Sequence, residues 1–133
     1  MPYRRTNAVI VACAISAGIH AALAPDHFRE TIGAGVGFAA SAVVLAALAT
    51  VLTRRPSEAA FAATAVVFAG LIGSYALAVT TGIPVLHPDV DPVEGLAFAT
   101  KAVEAVGLVL AAGAAVRRRP RSLHLTPAKG RLT

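Results

Sequence analysis

Four long apolar blocks, separated by short polar segments, constrain the fold of this chain more than any other feature of its sequence. The blocks cover residues 8–24, 31–53, 59–83 and 93–116. A transmembrane helix needs about 20 apolar residues, whereas a strand usually has about 5–6 residues. We therefore predict an all-α fold, an integral membrane four-transmembrane-helix bundle. The predicted helices cover residues 7–24, 31–53, 58–83 and 92–117.

Prolines and one capping residue mark the predicted helix ends. Pro25 is expected to stop helix 1, because proline lacks the amide hydrogen that continues the helical ladder. Ser57 is predicted to cap helix 3, and Pro92 to open helix 4 at its first turn. Residues 1–119 should form the membrane domain, and residues 120–133 should form a basic, disordered cytoplasmic tail.

The basic residues are divided unequally between the two ends of the predicted helices. One end carries ten of them: Arg4, Arg5, Arg54, Arg55, Arg117, Arg118, Arg119, Arg121, Lys129 and Arg131. The other end carries only Arg29. Because loops rich in Lys and Arg remain in the cytoplasm, we predict a multi-pass protein of the bacterial plasma (inner) membrane with both termini inside. In an alternative interpretation, the first block is a signal peptide cleaved after Ala24, and the other helices keep their orientation.

Composition and motifs argue against several functional classes. The chain is 56% hydrophobic and 14% charged, whereas a soluble protein has about 25% charged residues. Its net charge of +5 lies at the block ends rather than on an aromatic-rich face, which argues against a nucleic-acid partner. The single cysteine, Cys13, excludes an intrachain disulfide. No GxxxxGK, GxSxG or HExxH motif is present, so we predict no catalytic residue and do not favour an enzyme.

Two charged residues, Lys101 and Glu104, interrupt the fourth apolar block. A charge near the bilayer centre costs at least about 2.5–3.5 kcal/mol, so both charges need compensation. Residues three apart are neighbours on one helix face. Counted from Pro92, Lys101 lies about 14 Å and Glu104 about 18 Å into the membrane. We predict that they form a salt bridge facing the bundle interior.

Other polar residues match these depths on the predicted outer half of the membrane. Glu94 shares a face with Lys101, while His20 and Tyr75 lie within the first and third blocks. The sequence thus predicts an intramembrane polar track lining an outward-facing cavity. Glu94 and His20 would lie near its mouth, Tyr75 and Lys101 deeper, and Glu104 at its floor. In the alternative interpretation, the Lys101–Glu104 pair only fixes helix register and pairing.

The predicted outer side also collects histidines and carboxylates. His20, His27 and His87 are accompanied by Asp26 and Glu30. Imidazole and carboxylate ligands suit zinc, copper or iron. A metal-binding or redox module at the outer face is therefore a second functional hypothesis, although Pro25 is expected to break the helix between His20 and His27.

Small residues are expected to mediate helix packing. Gly33 and Gly37 form a small-xxx-small pattern in helix 2, and helix 3 carries Gly70 and Gly73. Such residues let membrane helices approach closely. We favour packing within the bundle over a dimer face. A homo-oligomer or a larger membrane complex remains the expected partner besides the lipid bilayer.

The segments from Ala17 to His20 and from Pro25 to Phe28 resemble the end of helix 1 in DoxX-like small bacterial membrane proteins. The resemblance covers about a dozen residues. It implies a four-helix membrane protein, and it implies an association with redox or thiol-stress complexes for some members. The size is also similar to that of small multidrug transporters, but those carry an essential acid in helix 1, where this chain has none.

Three functional interpretations remain open from the sequence. The leading one is a non-enzymatic accessory membrane subunit with a polar cavity around Lys101 and Glu104. The second is the outer metal or redox module. The third is a small oligomeric proton-coupled transporter that uses Lys101 and Glu104.

Overall fold

The computed structural model describes residues 2–83 and 95–118, and these residues confirm the predicted all-helical architecture. The helices are α1 (Pro2–Glu30), α2 (Ile32–Arg54), α3 (Glu58–Thr80) and α4 (Gly95–Arg118). Each of the four is long and apolar enough to cross a membrane. The protein therefore has the helices of a multi-pass membrane protein.

The four helices form a ring in which neighbours in the chain are neighbours in space. The closest packing joins α1 to α2, α3 to α4 and α1 to α4, whereas α2 and α3 have the smallest contact. Successive contacts show that α3 and α4 run antiparallel. Lys101 of α4 meets Leu71 of α3, and Gly107, further along α4, packs against Phe68, which precedes Leu71 in α3. The interior is therefore least covered between α2 and α3.

Local hydrogen bonds explain where α2 and α3 begin. Thr31 caps α2, and its hydroxyl accepts a hydrogen bond from the Ala34 amide at 3.1 Å. The predicted cap of α3 is confirmed, since the Ser57 hydroxyl accepts from the Ala60 amide at 3.1 Å. Each hydroxyl satisfies one of the amides that a helix start leaves without a partner.

The prediction that Pro25 ends helix 1 is wrong, because α1 continues through Pro25 to Glu30. Proline removes one backbone hydrogen bond from a helix interior. Packing beyond the proline stabilises the last turns, since Phe28 covers Gly35 and His27 stacks on Phe38 of α2. Tertiary contacts thus outweigh the local signal for a helix end.

The other helix limits differ less from the prediction. Helix α1 begins at Pro2 rather than near residue 7, and proline is well tolerated in a first turn. Helix α3 ends at Thr80, three residues early, where Gly82 adopts a φ of 70°. That left-handed conformation suits glycine. The predicted start of helix 4 at Pro92 lies outside the described residues.

The packing core lies at one end of the bundle, which we call the terminus end (residues 2–15, 45–68 and 107–118). Its largest fully buried side chains include Val9, Leu45, Phe61 and Phe68. The opposite half, residues 16–44, 69–83 and 95–106, is called the cavity end. It holds the α1–α2 connection and the residues that follow α3. Among the described residues, the cavity end buries the polar side chains of Ser16, His20, Thr100 and Glu104, whereas the terminus end buries only one, Thr64.

The close approaches occur at Gly107 and Gly35, whereas a Cβ atom added at Gly70 or Gly73, two of the glycines expected to mediate packing, would meet nothing within 4 Å. A Cβ atom at Gly107 would lie 2.5 Å from the Phe68 ring and 3.1 Å from the Ala12 Cβ. A Cβ atom at Gly35 would overlap the Phe28 ring. A Cβ atom at Gly37, by contrast, would meet nothing within 4 Å. The expectation that Gly33 and Gly37 mediate packing is therefore wrong for Gly37, and both residues border a cavity instead.

Candidate intramembrane binding site

Glu104 is the centre of a buried polar cluster. Its carboxylate is fully buried between α1 and α4. The Ser16 hydroxyl donates a hydrogen bond to Oε1 at 2.8 Å, and the Lys101 ammonium donates to Oε2 at 2.5 Å. Both carboxylate oxygens thus have a partner, as a buried acid requires.

His20 lies beside this carboxylate on the next turn of α1. Its Nδ1 atom is 2.9 Å from the Ser16 carbonyl oxygen. A carbonyl can only accept, so Nδ1 carries the donated hydrogen. The other ring nitrogen, Nε2, faces Glu104 Oε1 at 3.9 Å. The tautomer is therefore fixed by the backbone of α1, with Nε2 turned toward the cluster.

Lys101 connects the buried carboxylate to α3. Its ammonium group also donates to the Leu71 carbonyl oxygen at 3.4 Å and lies 5.6 Å from the centre of the Tyr75 ring. The side chain is 17% exposed, while that of Glu104 is fully covered. The cation is thus the half of the ion pair that reaches the edge of the cluster.

The Tyr75 hydroxyl is buried and has no hydrogen-bond partner among the residues that the structure describes. A buried polar group without a partner costs about 1–3 kcal/mol. Such groups in a native fold call for a physical explanation. Here the buried hydroxyl belongs to a side chain that lines a cavity.

A cavity of about 240 Å³ lies at the cavity end, between α2 and α3, and all four helices line it. Its wall is mainly apolar. The polar groups it presents include His20, His27, Tyr75 and Lys101. The Glu104 carboxylate lies behind Lys101 and does not line the space. Among the described residues, the lining contains no carboxylate, so none of them places an anionic side chain in the wall.

Three hydroxyls in this wall are already engaged with their own helices. Ser41 donates to the Gly37 carbonyl at 2.7 Å. Ser74 donates to the carbonyl of Leu71 at 3.1 Å, and Thr100 donates to its own helix in the same way. Hydroxyls that bond back to the preceding turn need no external partner. Tyr75 therefore differs from them in having no acceptor within reach in the described structure.

Phe38 organises the α1–α2 side of the cavity, and sequence reasoning did not single it out. Its ring stacks on His27 with centroids 3.7 Å apart and lies 5.2 Å from the His20 ring. Both contacts exist because α1 is helical through Pro25, which places two histidines seven residues apart on one face. Phe38 is the only aromatic residue of the second block, and its depth could have indicated this role.

Four of the five residues of the predicted polar track lie in the described part of the chain. His20, Tyr75, Lys101 and Glu104 lie together around the cavity and the buried ion pair. Glu94 lies outside the described residues, so its place at the mouth stays a prediction. The interior pairing of Lys101 with Glu104 is present as expected from their spacing.

The predicted metal ligands are not brought together by the described part of the chain. No group of three or more His, Cys, Asp or Glu side chains there could hold a metal ion. Asp26 instead pairs with Arg29 at 2.7 Å on the surface, and Glu30 is exposed at the end of α1. His87 lies outside the described residues. A metal site that includes His87 therefore stays a prediction.

Comparison with protein-family models, with curated proteins and with solved structures gives no match to this chain. The resemblance to DoxX-like proteins stays a prediction. The function is accordingly inferred from the chemistry of the cavity and of the residues that line it.

Proposed function

We propose that this chain is a multi-pass protein of the bacterial inner membrane that binds a small, mainly apolar molecule in its interior cavity. Four apolar helices support membrane insertion. The concentration of Lys and Arg at the terminus end supports cytoplasmic termini. The cavity would then lie in the outer half of the membrane, whether the protein acts alone or as an accessory subunit.

The observation that carries this proposal is the unpartnered Tyr75 hydroxyl in the wall of the cavity. Ligand sites are largely apolar spaces with a few placed polar groups. An apolar cavity of about 150 Å³ already accepts a benzene-sized molecule, and this one has about 240 Å³. Size and lining together suit a ligand built around a single small ring.

The tyrosine content of the chain provides a direct binding assay. The protein has no tryptophan and two tyrosines, Tyr3 and Tyr75. Tyr3 is 82% exposed and far along α1 from the cavity. A Tyr3→Phe variant therefore keeps Tyr75 as its only tyrosine fluorophore. In lipid bicelles, which contain no other protein, cyclohexyl methyl ketone, isopropylcyclohexane or cyclohexanecarboxylate should change the Tyr75 emission in a saturable way.

Two substitutions on α3 separate binding in the cavity from partitioning into lipid. Ala78 is 8% exposed and lines the cavity, so Ala78→Phe should fill the space and abolish the saturable change. Ala76 is exposed, two residues away on the same helix, so Ala76→Phe should leave it intact. If none of the three probes saturates, or if the two variants behave alike, the cavity is not a binding site.

A further inference from the structure

The formal charges around the cavity restrict what it can hold. Lys101 and Glu104 form the ion pair at its base. Their charges sum to zero whether the shared proton is on nitrogen or oxygen. Among the other described charges of the cavity end, Asp26 is paired with Arg29 on the surface. A ligand with a net charge would therefore add one uncompensated charge to a low-dielectric site, which is strongly unfavourable.

On the α3–α4 side of the cavity, Tyr75 and Lys101 favour a ligand that accepts a hydrogen bond. The acceptor of the ion pair, Glu104, is covered completely, while Lys101 reaches the wall. The unengaged hydroxyl of Tyr75 can donate one hydrogen bond. An oxygen atom of the ligand close to the Tyr75 hydroxyl would accept that bond.

From these observations we infer that the cavity binds a neutral, compact apolar molecule bearing a carbonyl oxygen, and that the Tyr75 hydroxyl donates the hydrogen bond to this oxygen. This inference rests on the proposed function and names its ligand class. Tyr75 acts here as a binding residue, and the Lys101–Glu104 pair adds a polar base without a net charge. The apolar body of the ligand would contact the rings and aliphatic side chains of the wall, such as Phe38 and Ala78.

The charge rule is tested by calorimetric titration of the protein in nanodiscs with four probes of one shape. These are cyclohexyl methyl ketone, cyclohexanecarboxylate, cyclohexylmethylammonium and isopropylcyclohexane. The ketone should bind about tenfold more tightly than the hydrocarbon, the size expected for one satisfied hydrogen bond. Both ions should bind more weakly than the ketone. If either ion binds most tightly, the inference is wrong. The inference is also wrong if the hydrocarbon binds as tightly as the ketone. Neither result contradicts the proposed binding in the cavity.

The donor is tested by infrared spectroscopy of the ketone labelled with carbon-13 at its carbonyl. A hydrogen bond from Tyr75 should lower the carbonyl stretching frequency below its value in protein-free nanodiscs. Tyr75→Phe should remove this shift and weaken ketone affinity about three- to tenfold, while leaving hydrocarbon affinity unchanged. Tyr3→Phe is the matched control and should change neither.

The stability of the empty protein distinguishes a ligand donor from a structural hydroxyl. Because the Tyr75 hydroxyl has no partner in the described structure, Tyr75→Phe should leave the thermal unfolding midpoint unchanged or raise it. A lower midpoint together with an unchanged carbonyl frequency would show that the hydroxyl is bonded within the protein, and it would overturn the inference.

Discussion

The terminus end and the cavity end of this bundle differ in what occupies their interior. At the terminus end, the interior contains fully buried apolar side chains such as Leu45, Phe61 and Phe68. At the cavity end, the interior contains an ion pair, a histidine and about 240 Å³ of space. Empty volume and buried charge both reduce stability. The contrast indicates that the terminus end contributes more to the stability of the fold, and it is consistent with the proposed binding at the cavity end.

The boundary between the two ends spans about one helical turn of α4. Glu104 pairs with Lys101 on the cavity side, and Gly107 packs against Phe68 on the other side, one turn further along α4. Substitutions at Glu104 and Gly107, three residues apart on α4, should therefore destabilise the protein for different physical reasons. That expectation can be tested by substitutions on each side of the boundary.

The largest effect is expected at the ion pair. Glu104→Ala leaves the Lys101 charge without its partner in the interior, and breaking a buried pair in this way costs about 3–5 kcal/mol. Replacing both residues, Lys101→Met with Glu104→Leu, removes the charges together and should restore stability to near the wild-type value. Unfolding by SDS titration of the protein in mixed micelles measures both free energies.

The same comparison can contradict the proposed role of the pair. If the double variant is as unstable as Glu104→Ala, the charges are needed for more than mutual neutralisation. If Glu104→Ala unfolds like the wild type, water reaches Lys101, and the cavity end is not the low-dielectric site that the charge argument requires.

A smaller loss is expected on the packed side of the boundary. Gly107→Ala places a methyl group 2.5 Å from the Phe68 ring, and overpacking of this kind costs about 1–3 kcal/mol. Gly113 lies on the same helix with nothing within 4 Å of its added Cβ atom. Gly113→Ala should be neutral or slightly stabilising, because alanine favours the helix. Equal unfolding free energies for the two variants would show that α3 and α4 separate easily at Phe68.

The helices themselves were readable from the sequence, because apolar blocks of this length leave few other folds. The spacing of Lys101 and Glu104 also predicted their contact, since it depends only on the geometry of α4. Both inferences use information within one segment. They needed no knowledge of how the segments pack.

The errors arose where packing between segments decides the outcome. Pro25 was expected to end helix 1, but contacts of Phe28 with α2 hold the helix beyond it. Spacing identified Gly33 and Gly37 as a packing pair, although spacing does not show which helix face meets a neighbour. The role of Phe38 was missed because it depends on that same extension of α1. The wrong prediction for Pro25 therefore also prevented the prediction that Phe38 packs against His27 at the cavity.

The smallest effect is expected at this aromatic wall. Phe38→Leu removes the stack on His27 while keeping an apolar side chain, and aromatic pairs contribute about 0.5–1.5 kcal/mol beyond the area they bury. Phe98 is 68% exposed on α4, so Phe98→Leu is the control and should change the unfolding free energy by less than about 0.5 kcal/mol. The SDS titration used for the ion pair measures both variants.

The position of His27 determines how this result should be understood. Removing the Phe38 ring should make the last turns of α1 easier to open, because the histidines on either side of Pro25 both contact that ring. Hydrogen exchange of the amides after Pro25 should therefore accelerate in Phe38→Leu but not in Phe98→Leu. Unchanged exchange would show that Phe28 and Gly35 alone hold α1 past the proline, and that the aromatic wall shapes the cavity without stabilising the helix.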